Sequence, residues 1–128
     1  MPIVSNPQIR RIAVPVGYAK VILVLRAYTT AEYARFMGGR FGFKKKGKLD
    51  DRSMSARIEF VDALLIDIEA QDKEGRSDHV VYSIAGREEK LSSQVENWKD
   101  YVNPSWKISA ALELEGESAE IEDGVIKN

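Results

Sequence analysis

The spacing of apolar residues along the middle of the chain predicts a helix followed by a strand. Between Ser55 and Ala70 a helical wheel places five apolar residues on one face and three acids on the opposite face: Ile58, Val61, Leu64, Leu65 and Ile68 against Glu59, Asp62 and Glu69. Past Leu65 the spacing changes, because Ile66 and Ile68 flank Asp67 in the alternation typical of a strand. We therefore expect the helix to give way to a short strand near Leu65.

Two strands are predicted near the N-terminus, Ile12–Val16 and Tyr18–Tyr28, separated by Gly17. Pro15 cannot donate a ladder hydrogen bond, so the first strand should lie at a sheet edge. The run Val21–Leu25 is apolar on both faces of a strand, and we expect it to be covered on both sides.

The residues around Thr29 predict the start of a helix. Thr29 and Glu32 have the spacing of a capping box, in which each side chain binds a free backbone N–H group. Tyr28 and Tyr33 occupy the positions of a hydrophobic staple. The pair Gly38–Gly39 predicts the end of this helix, in the left-handed conformation that glycine permits.

A hairpin is predicted after the central helix and strand. Its strands are Ile66–Ala70 and His79–Ile84, and the polar residues 72–75 (DKEG) form part of the connection.

Two more helices are predicted toward the C-terminus. Arg87–Tyr101 has apolar residues at helical spacing. Asn103 and Pro104 suit an N-cap and a first helical position. The following segment Trp106–Glu115 also alternates in the manner of a strand, but its content of Ala, Leu and Glu favours a helix.

These elements predict an α+β fold with an N-terminal strand pair, a central hairpin and three to four helices. A chain of 128 residues suits one domain. We expect a flexible arm at residues 1–11, a single globular domain at 12–115 and an acidic, disordered tail at 116–128.

The net charge of −1 hides a strong asymmetry between the two halves. Residues 1–50 carry ten Lys and Arg against two acids, a net of +8, whereas residues 51–128 carry nine against eighteen, a net of −9. Two halves that fold against each other and neutralise their charges explain this pattern. The alternative is a two-faced surface that steers a charged partner.

The residues give no support to a catalytic, metal or cofactor site. The chain has no cysteine and a lone histidine, His79, so the usual Cys and His metal sites and a thiolate nucleophile are absent. No serine lies in a G-x-S-x-G context. We interpret Asp62, Asp67 and Glu69 as solvated surface carboxylates. The longest apolar run is too short to cross a membrane, and the first residues do not form a signal peptide.

The basic stretch Arg40–Asp51 could bind a partner. Its segment Gly42–Lys48 matches the core of a phosphate-binding loop, but Leu49 stands where a Ser or Thr is needed, so we reject that function. Lysines with interleaved phenylalanines are also typical of nucleic-acid-binding surfaces. The pI of about 5.9 argues against this function, because nucleic-acid-binding domains are usually basic. The candidate binding residues here are Arg40, Phe41, Phe43, Lys44, Lys45 and Lys46.

Trp98 and Trp106 could each anchor a core or a partner. Trp98 lies on the apolar stripe of its predicted helix, so core packing is its default. Trp106 is close to a helix start, and we predict that it is the more exposed of the two.

Several segments resemble the tail assembly chaperones of long-tailed bacteriophages. These are TTAEYARFM (29–37), GRFGFKKKGKL (39–49), ARIEFVDALLIDIEA (56–70), the DKEG turn, and WKDYVNPSWKISAALELEG (98–116) with the acidic end that follows. The likeness covers residues 20–116.

The resemblance implies a protein without enzymatic activity. It would keep the helical tape measure protein soluble and help tail tube subunits to assemble around it. The tape measure protein is the implied partner, with the tail tube protein and a second copy of the chain as further candidates. Such proteins act in the host cytoplasm and are absent from the finished particle.

A chaperone of this type needs an apolar surface for its client. We expect a groove beside Trp106, Ile108 and Leu112 to take an amphipathic helix of the client, and Trp98 remains a candidate. The alternatives are a structural tail component of the completion or connector type that stays in the particle, and a nucleic-acid-binding module that uses residues 40–48.

Overall fold

The chain folds into an α+β domain, as predicted. The computed structural model describes residues 8–43 and 49–127, with side chains at 8–40 and 52–117. The elements are β1 (Ile9–Val16), β2 (Ala19–Arg26), α1 (Thr30–Gly39), β3 (Phe41–Phe43), β4 (Leu49–Asp51), α2 (Ser53–Leu64), β5 (Leu65–Gln71), β6 (Ser77–Asp78), β7 (Val80–Ile84), β8 (Arg87–Leu91), a 3₁₀ turn (Trp98–Tyr101) and α3 (Pro104–Lys127).

The described strands form one four-stranded sheet and two hairpins. The sheet has the order β1-β2-β5-β6, and its pairings are antiparallel. Strands β3 and β4 pair with each other, as do β7 and β8. Helix α2 packs against both α1 and α3, and α3 also contacts β1. Most of the buried apolar side chains form one core cluster, and Val14 and Val24 lie outside it.

Pro15 lies on an edge strand, as predicted. A two-residue turn joins β1 to β2, and its first residue, Gly17, has a φ of +61°. Val16 and Ala19 close this hairpin, so the next pair, Pro15 and Lys20, falls at a position without ladder hydrogen bonds. The missing N–H group of proline therefore costs the sheet nothing.

Strand β2 is buried on both faces. Val21, Leu23 and Leu25 are buried on the face toward the helices, and Val24 on the other face is only 3% exposed. Across that outer face, Arg11 Nε of β1 donates to Glu69 Oε1 of β5 at 3.1 Å. Because β2 runs between these two strands, the ion pair must pass over it. The outer face of β2, which we expected to be covered, is therefore covered in part by charged side chains from the neighbouring strands.

The change from helix to strand falls at Leu64–Leu65, which confirms the prediction from the spacing. The simple alternation beyond that point is wrong, because the register of β5 against β2 shifts there. Leu25 pairs with Leu65, whereas Val24 pairs with Asp67, so Ile66 is the extra residue of a bulge. Ile66 is accordingly 42% exposed.

The predicted hairpin between residues 66–70 and 79–84 is mostly wrong. Strand β5 pairs with the short β6 through only two residue pairs, Ala70 with Asp78 and Gln71 with Ser77. The segment then turns away, and β7 pairs with β8 instead. The reason lies in the turn at Ala85 and Gly86, whose φ angles of 52° and 77° suit a tight two-residue hairpin.

The helix predicted at Arg87–Tyr101 is also wrong. Residues 87–91 form β8, and turns lead from there to the short 3₁₀ segment. The apolar residues that suggested the helix still reach the core: Leu91 is 2% exposed and Val102 is 2% exposed. Tertiary contacts thus bury the same side chains without a helix.

Helix α1 begins as predicted. Thr29 Oγ1 accepts a hydrogen bond from Glu32 N at 3.1 Å, and the Glu32 carboxylate accepts one from Thr29 N at 3.0 Å. Tyr28 and Tyr33 stack with their ring centroids 5.5 Å apart. The helix ends at Gly39 as expected, but Gly38 and Gly39 do not adopt positive φ, so the left-handed ending is wrong.

Glu32 carries a further ion pair, which predicts a pH dependence of stability. The Arg26 guanidinium donates to both carboxylate oxygens of Glu32, at 2.9 and 2.7 Å. This contact, with the help of Thr29, lowers the pKa of Glu32 from 4.5 to about 2. A depressed pKa stabilises the fold above the ordinary value, and that stability is lost as the pH falls from 4.5 to about 2.

The variant Glu32→Gln should therefore be less stable than the wild type at pH 6, and the difference should shrink by pH 2.5. Urea unfolding at both pH values measures this. A carboxyl-carbon NMR titration should place the pKa of Glu32 far below that of an ordinary glutamate. In Arg26→Gln it should rise toward the ordinary value, and an unchanged pKa there would contradict the assigned cause.

Helix α3 begins at Pro104, as predicted, and the helix assigned to residues 106–115 is confirmed. Asn103 Oδ1 accepts from Ser105 N at 2.9 Å and from Ser105 Oγ at 2.8 Å, which caps the first turn. The boundaries of the predicted domain need correction. Helix α3 continues to Lys127, and β1 begins at Ile9 inside the predicted arm. Residues 1–7 lie outside the described part.

Candidate functional site

Both tryptophans contact the hydrophobic core. Trp98 is 9% exposed and belongs to the core cluster, as its default role predicted. Trp106 is half-buried and packs against the same cluster. Trp106 is the more accessible of the pair, but it is not the free surface anchor that the sequence suggested.

The outer face of α3 carries the other two candidate residues of this segment. Leu112 is 49% exposed, and Ile108, one turn earlier, is half-buried. Small exposed residues, Ser109 and Gly116, lie beside them on the helix surface. On the opposite face Lys107, Ala110, Ala111 and Leu114 are buried. The helix therefore presents a short apolar strip to solvent.

The basic stretch is not one loop, because β3 and β4 form a short hairpin at its two ends. Lys44, Lys45 and Lys46 lie outside the described residues, and so do the side chains of Phe41 and Phe43. Arg40 Nη1 lies 3.3 Å from Glu115 Oε1 of α3. Partner binding by this stretch stays a prediction, and its first candidate residue already contacts an acid of the chain.

Ion pairs join the basic and acidic halves of the chain. Arg10 bonds to Glu117, Arg11 to Glu69 and Arg40 to Glu115. Glu115 also receives Arg57 Nε at 3.0 Å, so one carboxylate of α3 holds two arginines. These contacts favour the interpretation that the two halves neutralise each other.

The interpretation of Asp62 as a solvated carboxylate holds only in part, because its side chain is 34% exposed but its Oδ1 atom is buried beside a lysine. Lys107 Nζ lies 2.7 Å from Asp62 Oδ1, and the lysine side chain is only 5% exposed. The same ammonium donates to the carbonyl oxygen of Lys99 at 2.7 Å, and Lys99 Nζ donates to the carbonyl oxygen of Asp62 at 2.7 Å. The three residues tie α2, the 3₁₀ turn and α3 together.

Sequence reasoning missed this network because Lys107 lies between apolar residues on a helix whose contacts were unknown. For the two remaining carboxylates, the Asp67 side chain binds the N–H group of Ile68 at 2.8 Å, and Glu69 pairs with Arg11. Within residues 8–43 and 49–127 no group of three or more potential metal ligands comes together.

An open groove runs between α1 and α2. Its volume is about 240 Å³, and it is lined by Glu32, Arg35, Phe36, Gly39, Ala56, Glu59, Phe60 and Ala63. Phe36 and Phe60 stack at its base with ring centroids 4.4 Å apart and planes 1° apart. No pattern in the sequence indicates this groove, because its two phenylalanines come from helices separated by the basic stretch.

Comparisons of the chain with known protein families, with curated proteins and with solved structures find no match. Among the described helices, none combines the length and apolar character needed to cross a membrane. The function must therefore be argued from the residues and the geometry.

Proposed function

We propose that this protein is a tail assembly chaperone of a long-tailed bacteriophage that binds the tape measure protein without catalysing a reaction. The outer face of α3 is the observation that supports this proposal best. Leu112 and Ile108 form a short apolar strip on the outer face of α3, and Ser109 and Gly116 beside them allow a second helix to approach closely.

The inner face of α3 is packed into the domain, which supports this strip. On the inner side of α3, Ala110, Ala111 and Leu114 are 0–2% exposed, and Lys107 bonds to both neighbouring elements. A client helix that lies along Ile108 and Leu112 would bury apolar surface at about 25 cal/mol per Å² without reorganising the domain. Binding of this kind suits a chaperone that keeps a long helical client in solution.

The proposal includes the partners and the place of action. The tape measure protein is the client, the tail tube protein is a second partner, and copies of the chain can associate. The protein acts in the host cytoplasm and leaves before the particle is complete. Mass spectrometry of purified virions tests the last point, and finding the chain there would favour a structural tail component instead.

Co-expression with the tape measure protein tests the central claim. The chain should raise the soluble yield of the client severalfold, and Leu112→Glu should abolish this gain, because a carboxylate cannot be buried without a partner. Glu113→Gln is the matched control, since residue 113 is exposed and adjacent. Trp106→Ala is less suitable because Trp106 also supports the core.

An unchanged client yield with the wild-type chain would contradict the proposed function. An equal gain with wild type and Leu112→Glu would contradict the role of the α3 strip. Circular dichroism of Leu112→Glu should show a fold like that of the wild type, because the replaced side chain is half exposed.

A further inference from the structure

The groove between α1 and α2 has features of a binding site, and they involve residues that the α3 strip does not use. Arg35 on α1 and Glu59 on α2 both line it and are both exposed. Within the described part of the chain neither of them takes part in an ion pair. Among the side chains that the structure describes, the groove therefore has an unpaired cation on one wall and an unpaired anion on the other.

The two walls run in opposite directions. Near one end Arg26 bridges the Glu32 carboxylate and the carbonyl oxygen of Ala63 at 3.0 Å, so the start of α1 lies beside the end of α2. Phe36 and Phe60 meet at the middle, and Gly39 and Ala56 line the rest. Arg35 and Glu59 each precede one of the stacked phenylalanines, which places both charges near the middle of the groove.

The size of the groove limits what it can hold. Sites for whole cofactors and drug-sized ligands usually measure about 300–1,000 Å³. The groove, at about 240 Å³, falls below this range and is open along one side. A single large side chain that projects from a longer segment fits better than a free cofactor.

We infer that this groove is an anchor site for an amphipathic helix of a partner protein. One apolar side chain of that helix rests on the Phe36–Phe60 stack. A carboxylate on one side of it faces Arg35, and an ammonium or guanidinium on the other side faces Glu59. Residues three positions before and after a given residue lie on opposite sides of it on a helix, so one short segment can supply all three groups.

Synthetic peptides test the inference directly. The probe is an alanine-based helical peptide with a central leucine, a glutamate three residues before it and a lysine three residues after it. In ¹⁵N NMR titrations the amide signals of Ala56 and Ala63 should shift on addition of this peptide. Peptides with two glutamates or two lysines should bind about tenfold more weakly, because one of their charges then lies beside a protein charge of the same sign, at Glu59 or Arg35.

Two neighbouring glycines supply a matched pair of variants. A Cβ atom at Gly38 or at Gly39 meets no atom within 4 Å, so both positions accept larger side chains, but only Gly39 lines the groove. Both replacements by leucine favour the helix. Gly39→Leu should fill the groove and weaken peptide binding at least tenfold, while Gly38→Leu should bind like the wild type.

Neutral variants test the charges. Arg35→Gln and Glu59→Gln should each weaken the mixed-charge peptide severalfold, and added salt should reduce the difference from the wild type. No shift with any peptide at millimolar concentration, equal binding by Gly39→Leu and wild type, or equal binding of all three peptides would each overturn the inference.

This inference is independent of the proposed chaperone function. Peptide binding responds to Gly39→Leu, whereas the soluble yield of the tape measure protein responds to Leu112→Glu. If the protein binds the peptide but does not raise the soluble yield of the tape measure protein, the anchor site is supported and the proposed chaperone function is contradicted.

Discussion

Replacing Asp62 with alanine should destabilise the protein by about 3–5 kcal/mol, one of the largest effects of any polar substitution. The reason is Lys107, whose side chain is 5% exposed and lies 2.7 Å from the aspartate. Without Asp62 the ammonium keeps its bond to the carbonyl oxygen of Lys99 but loses the only carboxylate paired with it in the described structure. Urea unfolding monitored by tryptophan fluorescence measures the loss.

The partner variant should behave differently. Lys107→Met leaves the buried Oδ1 atom of Asp62 without its partner, but the Asp62 side chain as a whole is 34% exposed, so we expect a loss of about 1–3 kcal/mol, smaller than that of Asp62→Ala. The double variant should be closer to the wild type than Asp62→Ala is, because a buried ion pair can often be replaced by apolar groups at little cost. A double variant that is less stable than Asp62→Ala would contradict this account.

The exposed ion pair between Arg11 and Glu69 is the matched control. Its side chains are 61% and 43% exposed, so Arg11→Ala should cost about 1 kcal/mol or less. A larger loss would mean that this ion pair, which crosses the outer face of β2, stabilises the sheet more than an ordinary surface ion pair does.

Replacing Trp98 with alanine should destabilise the fold by about 3–5 kcal/mol, the cost of a large cavity in a packed core. Trp98 is 9% exposed and belongs to the cluster that also contains Val102 and Leu91. Chemical denaturation measures the effect, which is a large part of the 5–15 kcal/mol that stabilises a typical domain.

Two further variants show whether the loss comes from packing. Trp98→Phe should cost less than Trp98→Ala, because the ring fills part of the cavity. Tyr18→Ala, at a position 93% exposed, should change the stability by less than about 0.5 kcal/mol. A Trp98→Ala variant as stable as Tyr18→Ala would show that Trp98 is not a core residue.

Local signals in the sequence predicted several elements well. The capping box of Thr29 and Glu32 and the start of α3 at Pro104 rest on hydrogen bonds and backbone angles within a few residues. The change to a strand at Leu65 follows from the spacing of apolar residues. In each case the physical cause lies inside the segment, so the sequence is sufficient.

The partner of strand β7 and the structure of residues 87–101 were predicted poorly for the opposite reason. Leu91, Trp98 and Val102 have helical spacing, but they reach the core from a strand, a 3₁₀ turn and a loop. The tight turn at Ala85 and Gly86 required a positive φ at alanine, which residue identity does not suggest. A partner strand and a core surface decided this segment, and neither is visible in local spacing.

The candidate sites divide in the same way. The helical conformation of Ile108 and Leu112 was predicted from the sequence, whereas their role in binding stays a prediction. The burial of Trp106 against the core was not predicted. The α1–α2 groove depends on Phe36 and Phe60, which are far apart in the chain and stack only in the folded protein.

The sequence by itself determined the α+β class, the starts of α1 and α3 and the change at Leu65, because these depend on backbone hydrogen bonds and side-chain spacing over a few residues. Only the tertiary structure decided the bulge at Ile66, the β7–β8 hairpin, the buried contact of Lys107 with Asp62 and the groove at Arg35 and Glu59. These features arise from groups distant in sequence, and their free energies depend on burial and distance, which exist only after the chain has folded.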